Sequence, residues 1–132
     1  MESQNKTNIA VRYQGGEYKL VSEAEVKKPS PGKLLIKNAY STINPYDRIV
    51  YRTYKIEGFT LGCDGCGIVV DIGEGVSDDY KGKKVAFVGD GWSRYCEKDP
   101  SMCMILDDDL DLVAAANAFI NPLTVAAMVD YC

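Results

Sequence analysis

Glycine and proline cut the first 106 residues into pieces too short for long helices. The breaks fall at Gln14-Gly15-Gly16-Glu17, Pro29-Ser30-Pro31-Gly32, Asn44-Pro45 and a loop containing Gly75, Asp78, Asp79 and Gly82. Each proline holds itself and its predecessor in extended geometry, and each glycine pair favours a turn. The runs between the breaks are apolar and rich in β-branched residues, the composition of strands.

Residues 8–13 and 18–26 around Gly15-Gly16 read as a hairpin. Further strands are expected over 33–43, 65–73, 83–89, 92–98 and 101–106. Ile49, Val50 and Tyr54 recur at near-helical spacing, which predicts a short helix over 46–54 beginning by Pro45. After residue 106 the pattern changes. Asp107, Asp108, Asp109 and Asp111 precede LVAAANAFI, an Ala-rich segment with negative charge where a helix N-terminus wants it. Asn121 is a good N-cap and Pro122 is tolerated in a first turn, so a second helix is expected to start there. The expected fold is mainly β: a partly open barrel over 8–106, one short helix, and helices near 110–119 and 122–131. Residues 1–7 read as a tail.

A chain of 132 residues supports one core. It contains no histidine, which removes Ser-His and Cys-His nucleophile pairs, imidazole bases and His-ligated metals. Acid–base work falls to Asp, Glu, Lys, Tyr, Cys or a cofactor. A net charge of −4 with no basic stripe argues against nucleic acid as a partner. The N-terminal MESQNKTNIA lacks the apolar core of a signal peptide and the Arg-rich pattern of a transit peptide. No apolar run reaches the roughly 20 residues of a membrane span. Five unevenly spaced cysteines fit reduced thiols better than a disulfide framework, and the expected location is cytoplasmic.

Two motifs overlap in LGCDGCGIVVDIGEGV, residues 61–76. Gly73-Glu74-Gly75 follows an apolar run as a dinucleotide-binding loop would. Such a loop needs a third glycine and a helix N-terminus to meet phosphate. Here Asp78 and Asp79 stand in that place and another strand follows, so the stretch reads as a turn. Cys63 and Cys66 form C-x-x-C, and Cys96 and Cys103 are the further thiols of a conceivable zinc site. Their spacing departs from that of zinc knuckles, and redox pairs prefer a helix start to a strand. Scaffold is the expected role, with Cys66 a small buried residue and no metal bound.

Several motifs recur in a distinctive order: Pro31-Gly32-x-Leu34-Leu35-Ile36-Lys37, Ile43-Asn44-Pro45-x-Asp47, and Gly62-x-Asp64-x-x-Gly67-x-Val69-x-x-x-Gly73-x-x-Val76. Gly82-Lys83-Lys84-Val85, Gly91-Trp92 and Asn121-Pro122-Leu123-Thr124-x-x-x-Met128 follow. This order resembles the N-terminal, GroES-like catalytic domain of the medium-chain dehydrogenase/reductase superfamily, in its zinc-independent quinone oxidoreductase and enoyl reductase branch. The resemblance covers nearly the whole chain from residue 9. It implies a GroES-like domain over 8–120 and, over 121–132, the start of a linker helix toward a cofactor-binding domain.

The resemblance further implies hydride transfer from NADPH to an activated carbon–carbon double bond or a quinone. Asn44 and Asp47 would line the nicotinamide side, with Asn121 and Thr124 near cofactor at a domain junction. Tyr54 falls near a position where some enoyl reductases carry a tyrosine proton donor, and Tyr51 is the competitor. Both tyrosines also fit the apolar face of a short helix. Similar zinc-dependent enzymes carry a Cys near the Asn44 position and a His near the Cys63 position. The absence of that set implies no zinc. Because the family's Rossmann domain is not in the sequence, the chain is expected to be inactive and to bind NADPH poorly alone. Its expected partner is a cofactor domain, another protein or a second copy, and the alternative is a non-catalytic interaction subunit.

Overall fold

The structure, a computed structural model, describes residues 7–116 and 120–131, with backbone alone at residues 24, 120–124 and 131. It is mainly β. Strands β1 (Thr7–Gln14) and β2 (Glu17–Glu25) form the expected hairpin. The others are β3 (Leu34–Ser41), β4 (Asp64–Ile72), β5 (Lys84–Val88), β6 (Tyr95–Lys98) and β7 (Cys103–Ile105). These five form an antiparallel sheet in the order β6-β3-β4-β5-β7. Helix α1 (Pro45–Thr53) fills the β3–β4 connection, and α2 (Leu112–Ala115) and α3 (Ile120–Tyr131) follow the last strand.

The hairpin lies across the open side of the sheet without closing it. Isolated bridges join Ala10 to Ser93 and Arg12 to Thr60. Val11 N–H donates to the Trp92 carbonyl at 2.9 Å, and Leu61 N–H donates to that of Val11 at 3.0 Å. These bonds satisfy backbone groups that an uncovered sheet edge would leave unpaired.

Strand alternation divides the interior in two. Val85 and Phe87 of β5 point into a cluster with Leu34, Ile36, Val69, Ile72 and Cys96. Ala86, between them, points to the other face, where Cys66, Leu106, Ala115 and Ala116 pack. Complete burial of a side chain such as Phe87 contributes about 1.5–3 kcal/mol. Gly67 is required on the first face, because a methyl group there would collide with the Lys37 carbonyl oxygen.

Strand β3 ends at Ser41 rather than residue 43, and four further boundaries differ from expectation. Strand β6 begins at Tyr95 rather than residue 92, because Trp92 and Ser93 bond to Leu61 and β1 instead of extending the sheet. Strand β7 is three residues long, since Asp99 caps a short turn over Pro100–Met102 by accepting Ser101 N–H at 3.0 Å. Helix α2 starts at Leu112, with Asp111 as its N-cap accepting Val113 N–H at 2.9 Å. Helix α3 already includes Ile120 and Asn121, so Asn121 sits inside its first turn and does not cap it. Proline is tolerated throughout a first turn, so Pro122 does not force a later start.

Candidate functional site

Beyond Ser41 the chain leaves the sheet through Thr42 and Ile43 and enters α1 at Asn44-Pro45. Asn44 is extended (φ −103°, ψ 158°) and serves as N-cap, with Pro45 supplying the helical φ of the next position. Asp47, three residues on, returns Oδ2 to the Asn44 N–H at 2.8 Å, the reciprocal bond of a capping box. Its other oxygen, Oδ1, accepts the Cys63 N–H at 2.9 Å. Asp47 is 1% exposed, so these bonds form away from water. One carboxylate therefore joins the start of α1 to the segment leading into β4.

These two segments and the end of β5 line a cleft of about 250 Å³. Tyr46 and Val50 of α1 form one side, and Cys63, Val88, Gly89 and Asp90 contribute the other. Tyr46 and Val50 are four residues apart, hence on one helix face. The Cys63 thiol is pushed up to about 12, by burial first and then by hydrogen bonding to the Asp47 carboxylate and the negative charges of Asp47 and Asp64. It is a neutral thiol at ordinary pH and a poor nucleophile.

The expected site residues separate. Asn44 and Asp47 come together at the α1 N-terminus, Asn44 donating Nδ2–H to Thr42 Oγ1 at 3.0 Å. The Tyr54 ring packs on Phe59, with centroids 5.2 Å apart, and its carbonyl accepts the Tyr18 O–H at 2.6 Å. Tyr51 stacks on Tyr18 at 5.3 Å, with Lys55 Nζ 5.8 Å from the Tyr51 centroid. Neither ring lines the cleft; the tyrosine that does is Tyr46. Its place four residues before Val50 is the sequence signal that could have found it. The side chains of Asn121 and Thr124 lie outside the described residues.

The glycine stretch is a turn. Gly73 N–H donates to the Lys33 carbonyl at 2.8 Å, and Gly32 N–H to that of Glu74 at 2.9 Å. A methyl group on Gly73 would collide with the Ser30 carbonyl oxygen, which is why glycine stands where the two turns meet. The thiols of Cys63, Cys66, Cys96 and Cys103 are free. Cys63 faces the cleft, whereas Cys66 lies in the second core and donates its S–H to the Leu112 carbonyl at 3.0 Å. Cys96 lies in the first core, with Cys103 packed against it. Among the described residues no three Cys, Asp or Glu side chains cluster as metal ligands would.

The sequence profile of the alcohol dehydrogenase GroES-like domain matches residues 30–127. This chain belongs to that family. It is 33% identical over 103 residues to alcohol dehydrogenase-like 6 of Arabidopsis thaliana, covering 75% of this chain and 27% of that protein. It is 34% identical over 70 residues to trans-enoyl reductase RAP2 of Pyricularia oryzae, covering 53% of this chain and 20% of that one. The crystal structure of Escherichia coli quinone oxidoreductase complexed with NADPH superimposes with a TM-score of 0.75 at 22% identity, over 94% of this chain and 40% of that one. The GroES-like chain thus spans 20–27% of the length of these two curated relatives. Among its described residues no helix is long and apolar enough to cross a membrane.

Proposed function

We propose that this GroES-like chain supplies the substrate and nicotinamide side of an NADPH-dependent oxidoreductase acting on a quinone or an activated carbon–carbon double bond. The observation that carries the reading is the cleft between α1 and the Gly62–Cys63 and Val88–Asp90 segments, in a family whose relatives include a trans-enoyl reductase and an NADPH-bound quinone oxidoreductase. Its volume, about 250 Å³, lies below the roughly 300–1,000 Å³ that encloses a drug-sized ligand. It suits a ring such as nicotinamide beside a small substrate group, not a whole dinucleotide.

When bound, NADPH supplies the hydride. The chain's own residues bind and orient. Val50 and Val88 present apolar walls that exclude water. The Tyr46 phenol is placed to donate a proton or hydrogen bond to an oxygen that gains charge as the substrate is reduced. Asn44 serves the nicotinamide side from the turn before it, and Asp47 fixes both walls through the backbone. Asn121 and Thr124 are proposed to meet cofactor from α3. The phosphates and adenosine would be held by a cofactor-binding domain, with NADPH binding to this chain alone weak.

A second reading has an observation of its own. Val125, Met128 and Val129 are 59%, 63% and 67% exposed along one stripe of α3. Such a stripe would serve a non-catalytic interaction subunit as well as it would serve docking of a cofactor domain.

NMR titration of the chain with reduced nicotinamide mononucleotide tests the catalytic reading. Resonance shifts should concentrate at Tyr46, Cys63, Val88 and Gly89, and Tyr46→Phe should leave binding intact while slowing reduction once a cofactor domain is added in trans. Shifts confined to α3, or none, would favour the interaction subunit.

A further inference from the structure

Asparagine is disfavoured in strand interiors, yet Asn38 stands half-buried in β3. At this point the sheet stops being regular. Pairing of β3 with β6 ends at Lys37–Tyr95, and the register with β4 shifts between Asn38 and Tyr40. The Asn38 N–H still reaches the Arg94 carbonyl, at 2.8 Å. Beyond it the side chain takes over from the ladder. Its Nδ2 group donates to the Ser93 carbonyl at 2.8 Å and to the Asp90 carbonyl and Ser93 Oγ, each at 3.2 Å. Two N–H donors thus serve three acceptors. The amide has one workable orientation: Nδ2 faces three oxygens, while Oδ1 accepts the Cys96 S–H at 3.3 Å.

The segment so held runs from Gly89 to Ser93 and is otherwise hard to keep in place. Asp90 has a φ of 59°, unusual for a residue with a side chain. Its neighbours are glycines, and Gly91 lies so close to Ser41 and Asp64 that a methyl group would not fit. Lys98 holds the opposite side, donating Nζ–H to the Val88 carbonyl at 2.8 Å and to Asp90 Oδ2 at 2.9 Å. Val88, Gly89 and Asp90 are the cleft wall that faces Tyr46.

We propose that Asn38 is a positioning residue for the nicotinamide cleft: from β3 its amide fixes the Gly89–Ser93 segment, and with it the wall opposite Tyr46. The proposal rests on the function proposed above. Asn38 touches neither substrate nor cofactor. It acts by satisfying the carbonyls of a strained turn, so the wall has one conformation before a ligand arrives.

The test compares Asn38→Leu, which keeps the branched shape and removes the side-chain donors, with Val69→Ala, which weakens the same core without touching the turn. Both are studied as full chains below their melting temperatures. Asn38→Leu should speed amide exchange of Gly89 and Gly91 at least tenfold and weaken binding of reduced nicotinamide mononucleotide at least tenfold. Val69→Ala should do neither. Equal exchange at Gly89 and Gly91 in the two variants would overturn the proposal. If the wild-type chain binds no reduced nicotinamide mononucleotide, the proposed function fails, and the exchange comparison still decides whether Asn38 holds the turn. If Asn38→Leu does not fold, the Asn38 side-chain amide protons of the wild type decide. Protected protons support the role, and exchange at the rate of an exposed asparagine refutes it.

Discussion

Asp47 Oδ1 lies 2.9 Å from the Cys63 amide nitrogen, a bond across 16 residues that ties the first turn of α1 to the segment leading into β4. With the Asn44 N–H on its second oxygen, this carboxylate joins two segments that share no strand pairing. Asp47→Ala would leave two backbone donors without their acceptor. At about 1–3 kcal/mol for each stranded group, the variant should lose roughly 2–6 kcal/mol by urea denaturation. Asp47→Asn keeps one acceptor oxygen and should lose less.

The same carboxylate adds to what burial does to the Cys63 thiol. Burial and Asp47 push that thiol from its ordinary 9.0 up to about 12, and burial pushes Cys96 to about 12 and Cys103 to about 11. A group whose pKa is higher folded than unfolded stabilises the fold fully below its unfolded value, and that stabilisation is lost as pH rises through the folded value. Urea midpoints should therefore fall as pH climbs from about 9 toward 12. Asp47→Asn, read at pH 8, should speed Cys63 alkylation by iodoacetamide. An alkaline limb that is flat in the wild type would contradict the assignment.

The strands and α1 were legible because turn residues and β-branched runs act locally. Asn44-Pro45 ends one element and starts the next within two residues. The site was less legible, because its walls come from residues 46–50, 63 and 88–90, and sequence spacing does not report which segments meet. The family resemblance put Tyr54, with Tyr51 as competitor, near the substrate, and helical spacing put both on the apolar face of a short helix; their rings pack on Phe59 and Tyr18. An asparagine inside an expected strand marks Asn38 as unusual, but its role was not legible, since its partners lie 52 and 55 residues away.

The glycine stretch makes a sharp contrast available. Gly75 has φ 86° with open space around it, so Gly75→Ala meets only backbone strain, about 1–2 kcal/mol. Gly73→Ala drives a methyl group into the Ser30 carbonyl, an overpacking cost of about 1–3 kcal/mol that the fixed turn should carry to its upper end. Thermal melts should rank Gly73→Ala as the more damaging. Neither variant should change nicotinamide nucleotide binding, and a loss confined to binding would mean that the stretch is a ligand loop after all.

The thiols should hold no stoichiometric zinc. Cys63 faces the cleft, whereas Cys66 lies in the second core, so the two thiols do not converge on one site. Burial pushes the Cys66 and Cys96 thiols up and keeps them protonated, whereas zinc takes thiolates. Elemental analysis of chain purified without chelators and then dialysed should find well under one zinc per chain. One zinc per chain, lost together with the fold on Cys66→Ala, would establish a structural metal.

The exposed stripe of α3 should make the chain associate. Val125, Met128 and Val129 fall at i, i+3 and i+4, one face of a helix, and all are more than half exposed. Each large apolar side chain left in water forgoes about 1.5–3 kcal/mol available on burial, enough in sum to favour pairing at high concentration. Light scattering during gel filtration should show species larger than one chain, with their share rising with concentration. Replacing the three residues together with Gln should return the chain to a monomer without unfolding the barrel, whose clusters they do not join. If α3 instead docks a cofactor domain, adding that domain should also abolish self-association, and the triple variant should fail to bind it. A wild-type chain that stays monomeric at every concentration would show that the stripe does not drive association.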